Sequence, residues 1–284
     1  LSERPPFREI STMPRSIPTL CGSIMGEPFS FNVKIHNAAY QALGLDYTFV
    51  CFGVDDPVRG VEAVRTLGVR GMNVSMPYKA AVIPQLDRLD RSAEAIGAVN
   101  TISNVDGVLT GYNTDCLGAV RALEEAEPLA ARRVALLGAG GAARAIAYGL
   151  QQAGAVVTVF NRTLSRGQKL AADFGLACGG TLADFSAEHF DTVVNATAAG
   201  FRAPDVNPLE GRLAPHLLVM DAAFLPVRTK LIRDAEALGC RAIVGTRMML
   251  HQACGQIELY TGCERAPIEA MEAALLAEIE RLGH

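Results

Sequence analysis

An α/β fold on largely parallel sheets is predicted for this 284-residue chain by three features of its sequence. Short apolar runs alternate with stretches of helical period along nearly the whole length. Glycines stand where those helices should stop. Past residue 133 the order settles into strand, glycine turn, helix, strand. At roughly 100–200 residues per domain, the length allows one large domain or two modest ones. Half the residues are hydrophobic and a fifth are charged, which is enough apolar material for a core and too apolar for extended disorder.

Taken in order, Thr19–Ile24 reads as a strand. A helix follows with Asn32 as its N-cap, Ile35, Ala39 and Leu43 on one face, and Gly44 as its stop. Thr48–Val54 is a second strand, Val58–Leu67 a helix closed by Gly68, and Gly71–Ser75 a third strand. Pro77 suits the first turn of a further helix. Ala98–Ser103 and Val108–Tyr112 make a hairpin turning at Asp106-Gly107. The pattern changes character after Leu117–Glu127. Strands are then expected at Val134–Leu137, Val156–Phe160, Thr192–Asn195, Leu218–Ala222 and Arg241–Val244, with a helix from Ala142 after the first. Between the last two strands a helix turns Leu231, Ile232, Ala235 and Leu238 inward. After Pro267, the residues Ile268, Met271, Leu275, Ile279 and Leu282 form one apolar helical stripe. There is no internal repeat and no low-complexity linker. Two domains meeting along a cleft and joined by helices follow from this, and such a cleft commonly holds a ligand.

Composition excludes several function classes. The net charge is −4 and no Lys/Arg-rich run occurs, which argues against nucleic acid or an anionic membrane as partner. No stretch approaches ~18 uninterrupted apolar residues, so no transmembrane helix is expected. The first residues, LSERPPFREI, carry charges and prolines where a signal peptide needs an apolar block. Seven scattered cysteines without a C-x-x-C pattern fit reduced thiols in a cytoplasmic protein, with Cys21 and Cys51 as core strand residues. The five histidines are equally dispersed. His251 and Cys254 share a helix face, but no further ligand sits at a metal spacing, and no metal site is expected.

Val134-Ala-Leu-Leu-Gly138-Ala-Gly140-Gly141-Ala-Ala143-Arg144 is the most informative stretch. A G-x-G-x-x-A pattern alone is weak. Here it follows an apolar strand and opens a helix of small residues, the context a dinucleotide site requires. Gly138 permits the tight turn, Gly140 lets a pyrophosphate approach, and Ala143 lets the helix pack on the strand. The helix N-terminus offers free N–H groups to the anion. An NAD site usually places an acid about 20 residues further on, bonding the ribose 2′-hydroxyl. Phe160-Asn161-Arg162-Thr163-Leu-Ser165-Arg166 has no acid there. Arg162 and Arg166 can flank a 2′-phosphate, with Asn161, Thr163 and Ser165 as further donors, which favours NADP. The alternative is that both arginines are merely solvated and NAD binds without an acid.

Two other segments carry more polar groups than strand ends need. In Asn73-Val-Ser75-Met-Pro77-Tyr-Lys79, Asn73 and Ser75 share one face, with Lys79 just past Pro77. The second runs from Gly97-Ala-Val-Asn100-Thr101 through the hairpin to Gly111-Tyr-Asn113-Thr114-Asp115. Oxidising a secondary alcohol needs a hydride acceptor and a group to take the hydroxyl proton. A lysine beside a carboxylate can supply the second, and Lys79 and Asp115 are the candidates. Against this, most Lys–Asp pairs in proteins are surface ion pairs.

Together these segments resemble the shikimate/quinate dehydrogenase family. Asn73 to Lys79, Ala98-Val-Asn-Thr101, Tyr112-Asn-Thr-Asp115, the Gly138 turn, Phe160 to Arg166, Val194-Asn-Ala-Thr197 and Arg247-Met-Met-Leu-His-Gln252 occur in the family's order, from about Leu20 to the C-terminus. The resemblance implies a substrate domain (residues 1–118 and 249–284) with a Rossmann domain (119–248) inserted in it. It also implies reversible, NADPH-dependent reduction of 3-dehydroshikimate to shikimate; some members use quinate or NAD. Lys79 and Asp115 match the catalytic pair. Asn73, Ser75, Asn100, Thr114 and Gln252 match substrate contacts, and Ser30 and Asn32, at the family's serine pair, are expected substrate contacts as well. Gly138, Ala139, Gly140, Gly141, Ala142, Asn161, Arg162, Thr163, Arg166, Ala196, Thr197 and Met248 are the expected cofactor contacts. The expected partner is a small cyclic hydroxy acid, and the expected assembly a monomer or homodimer.

Three departures stand out. Ordinary members carry Ser-x-Ser-Pro to grip the substrate carboxylate; here Ser30 remains, Asn32 replaces the second serine and the proline is gone. Phe224 stands where many relatives place a carboxylate-binding tyrosine, and Arg247 where they have a small glycine beside the nicotinamide. The altered grip is similar to the divergent shikimate dehydrogenase-like subgroup. A lost hydroxyl that leaves a buried acceptor unpaired costs ~1–3 kcal/mol. Arg247 or Lys34 can compensate with positive charge, or Arg247 can point to solvent. His36 is expected to be a packed or capping residue. Three readings remain open: a shikimate-type enzyme, the same chemistry on quinate or another hydroxy acid, and a low-turnover ligand sensor. The intact Lys79/Asp115 pair favours an enzyme, and no helix-turn-helix or effector domain is visible.

Overall fold

The computed structural model describes residues 17–26 and 30–283, so the LSERPPFREI stretch and His284 lie outside the described residues. Among them, six strands build a first sheet: β1 (Thr19–Met25), β2 (Tyr47–Gly53), β3 (Gly71–Val74), β4 (Arg88–Leu89), β5 (Thr101–Val105) and β6 (Val108–Tyr112), in the order β2-β1-β3-β5-β6-β4. Parallel neighbours need crossovers, and α1 (Phe31–Ala42) and α2 (Pro57–Thr66) supply them between β1, β2 and β3. β5 runs antiparallel to both β3 and β6. The β5–β6 hairpin turns at Asp106-Gly107 with φ of 51° and 84°, the left-handed pair that a two-residue turn demands.

Some expectations need correcting. The N-cap of α1 is Ser30 rather than Asn32, and the helix begins at Phe31. The Ser30 hydroxyl leaves the helix end and donates to the Glu278 carboxylate, so the cap carries no side-chain bond. Pro77 opens no helix: turns lead to a 3₁₀ turn at Ile83–Gln85. Pro84 has no N–H to give the Ala80 carbonyl, so a helix starting at Pro77 cannot propagate. β4 and the helix α3 (Arg91–Ile96) escaped notice because two and six residues show no period.

The second sheet is wholly parallel. It contains β7 (Arg133–Leu137), β8 (Val156–Phe160), β9 (Ala177–Gly180), β10 (Thr192–Asn195), β11 (Leu218–Asp221) and β12 (Arg241–Ile243), in the order β12-β11-β10-β7-β8-β9. Around it lie α4 (Thr114–Glu124), α5 (Gly141–Gln152), α6 (Leu164–Phe174) and α7 (Lys230–Ala237). This is the doubly wound order of dinucleotide-binding folds, with the switch point between β7 and β10. β9, Ala-Cys-Gly-Gly, was not foreseen because glycine is poor strand material. Here it is needed, since a Cβ on Gly179 would lie 2.3 Å from the Phe160 ring. Leu238 is not inward as expected: α7 ends before it, and it is 46% exposed. Leu282 is likewise exposed, at the end of the last helix.

α8 (Gly245–Thr261) and α9 (Ile268–Leu282) return to the first sheet. Tyr260 packs so closely on β3 that a Cβ on Gly71 would fall 2.2 Å from its ring. Met271, Leu275 and Ile279 of α9 join the core around α1 with Cys21, Phe49 and His36's ring neighbours. α4 and α8 cross between the two sheets, and the expected boundaries after residues 118 and 248 fall inside these two helices. The seven cysteines are free, Cys21 buried and Cys51 partly so. Among the described residues no helix is long and apolar enough to cross a membrane, and no cluster of metal-binding side chains occurs.

Arg247 neither compensates a substrate charge nor points to solvent. Its Nε lies 2.5 Å from Glu125 Oε2, Nη2 also reaches Glu125, and Nη1 is 2.8 Å from Glu272 Oε1. His251 Nε2 is 2.9 Å from the same Glu125. Arg247 therefore ties α4, α8 and α9 together. Lys34 is exposed on α1. Because the Arg247 pairs are half-buried, Arg247→Ala should lower stability by about 1 kcal/mol. Thermal denaturation checks this, and KM for the acid substrate should stay at the wild-type value.

Asp221, at the end of β11, is fully buried with no cation beside it. It accepts from Asn195 Nδ2 at 2.9 Å, Ala223 N at 3.0 Å and Thr229 Oγ1 at 2.6 Å. Burial pushes its pKa up to about 6 against those hydrogen bonds. The native state then holds a proton that the unfolded chain has released, so stability is full at low pH and falls as pH rises from about 4 to 6, by on the order of 3 kcal/mol. In Asp221→Asn the amide can donate to Thr229 and accept from Asn195 without titrating. Its melting temperature should lose this slope, as a pH series of melting curves for both proteins would read.

Candidate active site

A cleft of about 620 Å³ opens between the two sheets. Lys79 lines one side. It sits in the turn after β3, and its carbonyl accepts from Val99 N at 2.8 Å, which pins the turn to the strand leading into β5. Asp115 sits in the first turn of α4. Asn113 caps that helix by accepting from Asp115 N at 3.1 Å. A carboxylate is favoured there by the helix's positive end. The two side chains meet, Lys79 Nζ to Asp115 Oδ2, at 2.5 Å; Asp115 is 7% exposed and Lys79 23%. This is no surface pair. It is a nearly dry carboxylate whose lysine partner still reaches the cleft.

Behind it lie Asn100 and Thr114, both buried. Asn100 Nδ2 donates to Asp115 Oδ1 at 2.6 Å and to Thr114 Oγ1 at 3.0 Å, while its Oδ1 accepts from Thr114 N at 2.8 Å. Asn73 also stands one layer back. Its Nδ2 donates to Gln256 Oε1 at 2.8 Å, and its Oδ1 accepts from Tyr260 OH at 2.6 Å. Asn32, Ser75 and Gln252 line the cleft itself. Ser30 does not, since its hydroxyl is committed to Glu278. His36 is packed: fully buried, stacked on Phe49 with centroids 4.0 Å apart, its Nδ1 2.8 Å from Asn32 O.

The opposite wall comes from the second sheet. Register sets Leu137 beside Phe160 and Asn195, so Gly138, Asn161 and Ala196 leave the sheet together. Gly138 has φ of 112°, and a Cβ there would meet the Ala196 carbonyl at 2.9 Å. Built Cβ atoms on Gly140 and Gly141 meet nothing within 4 Å, so open space lies over the N-terminus of α5. That cradle, with its free N–H groups, fits a pyrophosphate. Ala139 packs against the core beside it, and Ala142 and Met248 line the cleft. Thr197 N and Oγ1 both donate to Asn195 Oδ1, at 3.0 and 2.7 Å, which shapes the loop after β10. In the β8–α6 loop, Asn161 Nδ2 donates to Thr163 O at 2.8 Å. Arg162, Thr163 and Arg166 are exposed, and neither arginine makes an ion pair among the described residues. A donor set of two uncommitted guanidiniums fits a phosphate monoester.

Gln256, Phe201 and Arg202 are among the cleft residues that sequence reasoning missed. Gln256 carried a usable signal: it lies one helical turn past Gln252, hence on the same face of α8. Phe201 and Arg202 sit in an irregular loop, where no periodicity points to them.

Comparison with known proteins agrees with this architecture. Residues 24–102 match the shikimate dehydrogenase substrate binding domain, 121–209 match shikimate / quinate 5-dehydrogenase, and 245–276 match the shikimate 5'-dehydrogenase C-terminal domain. A shikimate dehydrogenase (NADP(+)) of Pyrococcus abyssi is 39% identical over 264 residues, covering 92% of this chain and 97% of that protein. Among solved structures, a shikimate dehydrogenase in complex with NADP+ superposes with TM-score 0.86 at 33% identity, over 92% of this chain and 96% of that one. The ligand-free 5-ketofructose reductase of Gluconobacter sp. strain CHM43 gives TM-score 0.86 at 31% identity, over 93% and 99%. This chain, then, belongs to the shikimate/quinate dehydrogenase family.

Proposed function

We propose that this protein is an NADP-dependent oxidoreductase of shikimate dehydrogenase type, reversibly reducing the ring ketone of 3-dehydroshikimate to give shikimate, or forming a closely related cyclic hydroxy acid in the same way. The observation that carries this is the 2.5 Å Lys79–Asp115 pair, facing across one cleft the glycine turn that begins α5. Gly138 to Ala142 would hold the pyrophosphate, Ala196, Thr197 and Met248 the nicotinamide end, and Arg162 and Arg166, with Asn161 and Thr163, the 2′-phosphate. When bound, the dinucleotide supplies or takes up the hydride. Lys79 handles the matching proton: Nζ gives it to the carbonyl oxygen during reduction and takes it from the hydroxyl during oxidation. Asp115 keeps Nζ aimed at that oxygen and balances its charge, and Asn100 and Thr114 hold Asp115. Asn32, Ser75 and Gln252 offer hydrogen bonds to the substrate from the cleft wall.

One observation favours a second reading, reduction of a neutral polyhydroxy ketone. The Ser30 hydroxyl is bound by Glu278, and Phe224 presents carbon to the cleft, so two groups suited to an acid are withdrawn. The similarity to a 5-ketofructose reductase points the same way.

Initial rates of the purified protein with shikimate, quinate and 5-ketofructose decide between them. Turnover of shikimate with NADP+ preferred over NAD+ is expected. Lys79→Ala should lower kcat by about 10²–10⁴-fold. Arg162→Ala and Arg166→Ala should raise KM for NADP+ and leave that for NAD+ unmoved. Lysine-independent turnover, or activity confined to the neutral ketone, overturns the first reading.

A further inference from the structure

The substrate proposed above carries a carboxylate besides the ketone that reacts, and the cleft has to meet that charge. Lys79 spends its charge on Asp115 and its proton on the ketone oxygen. Ser30 turns its hydroxyl to Glu278, and Phe224 has only carbon to offer. Among the described residues that line the cleft, Arg202 is the cation besides Lys79. A guanidinium binds a carboxylate more strongly than neutral donors do, because both partners of each hydrogen bond are charged.

Arg202 is held at the cleft by its surroundings. It stands in the loop between β10 and β11, and its N–H donates to the Leu225 carbonyl at 2.7 Å, next to Phe224. Its φ is 53°, a left-handed conformation uncommon outside Gly, Asn and Asp. Such a conformation persists where neighbouring bonds impose it, and it marks positions where the aim of a side chain matters. The guanidinium lies over the Phe201 ring, 5.5 Å from its centroid. Phe201 packs on Phe224 with centroids 5.4 Å apart, and Phe224 meets Phe31 at 6.5 Å. Asn32 follows Phe31 in the chain and Arg202 follows Phe201, and both line the cleft with the Phe224 ring. An amide and a guanidinium therefore stand near one apolar ring. The planar fork of the guanidinium matches the two oxygens of a carboxylate. A neutral polyhydroxy ketone has no charge to place there.

We propose that Arg202 is a substrate-contacting, specificity-determining residue: its guanidinium receives the substrate carboxylate, with the Asn32 amide as a second donor. This rests on the shikimate-type reaction proposed above and commits its substrate to an acid.

The test compares wild type, Arg202→Met and Arg202→Lys on shikimate and on its methyl ester, which keeps the ring and its hydroxyls but carries no charge. Wild type should have a KM for the ester about ten- to hundred-fold above that for shikimate. Arg202→Met should raise the shikimate KM until that preference is lost, with the effect falling on KM more than on kcat. Arg202→Lys keeps the charge without the fork and should restore part of the preference, which a folding defect would not allow. Equal KM values for acid and ester in wild type, or an acid preference retained in Arg202→Met, overturn the contact. So does a rise confined to the KM for NADP+, which would assign Arg202 to the cofactor's phosphates. All of these are read while wild type turns over shikimate. A wild type active only on 5-ketofructose overturns the reaction itself, and the contact with it.

Discussion

The Asp115 carboxylate can accept hydrogen bonds and give none, and the polar interior of the substrate side is arranged around that one-sidedness. Lys79 takes one oxygen at 2.5 Å and Asn100 the other at 2.6 Å. Because Asn100 must turn its NH₂ to Asp115, its oxygen is free for Thr114 N, Thr114 Oγ1 and Thr101 Oγ1. The N-terminus of α4 is thereby stitched to β5, and through Gln256 and Tyr260 to α8. A neutral side chain at position 115 would leave each of these groups two permissible orientations. A charge leaves one, and an active site gains from that because its donors are aimed before substrate arrives.

The two sheets owe their relative placement to α4 and α8. Small residues let the helices touch: a Cβ on Gly118 would lie 2.5 Å from Gln252 Cγ, and one on Gly255 would lie 2.7 Å from Leu117. Ion pairs then bracket the crossing. Arg121 makes two bonds to Glu258, at 3.1 and 3.0 Å, and Glu125 gathers Arg247 and His251 further along. Since Asp115 lies on α4 and Gln252 and Gln256 on α8, the crossing that joins the sheets also sets the distance between cleft-lining groups.

Much of this was legible from the sequence, for identifiable reasons. The β7 turn was readable because three local demands coincide within seven residues: an apolar strand, a positive φ at Gly138 and a helix of small residues. The β5–β6 hairpin was readable because Asp-Gly has few other uses between two strands. Lys79 and Asp115 could be named as residues, but no local signal brings positions 36 apart to 2.5 Å; only sheet register does so. Ser30 shows the opposite failure. Its place in the motif marked it for substrate, and a carboxylate 248 residues away took its proton instead. By sequence, Arg247 stands between a compensating charge and solvent, and it takes neither place, claimed instead by Glu125 and Glu272 from other helices. Sequence shows which groups are present; packing decides which of them remain unspent.

The same distinction bears on the cofactor. Several arginines surround the second sheet, and most are already used. Arg133 is held by Asp191, Arg241 by Glu127, and Arg144, one turn from the Gly140 cradle, by Asp173 and the Ile96 carbonyl. A guanidinium with a carboxylate at 2.5 Å has little left for a phosphate. Arg162 and Arg166 are different: the β8–α6 loop offers them no acid, and both stay open to solvent at the end of the strand that neighbours β7. An NAD site would place a carboxylate on that strand end to receive a ribose hydroxyl. Its absence leaves two exposed guanidiniums, four residues apart in sequence and without an ion pair among the described residues, and that supports the proposed preference for NADP.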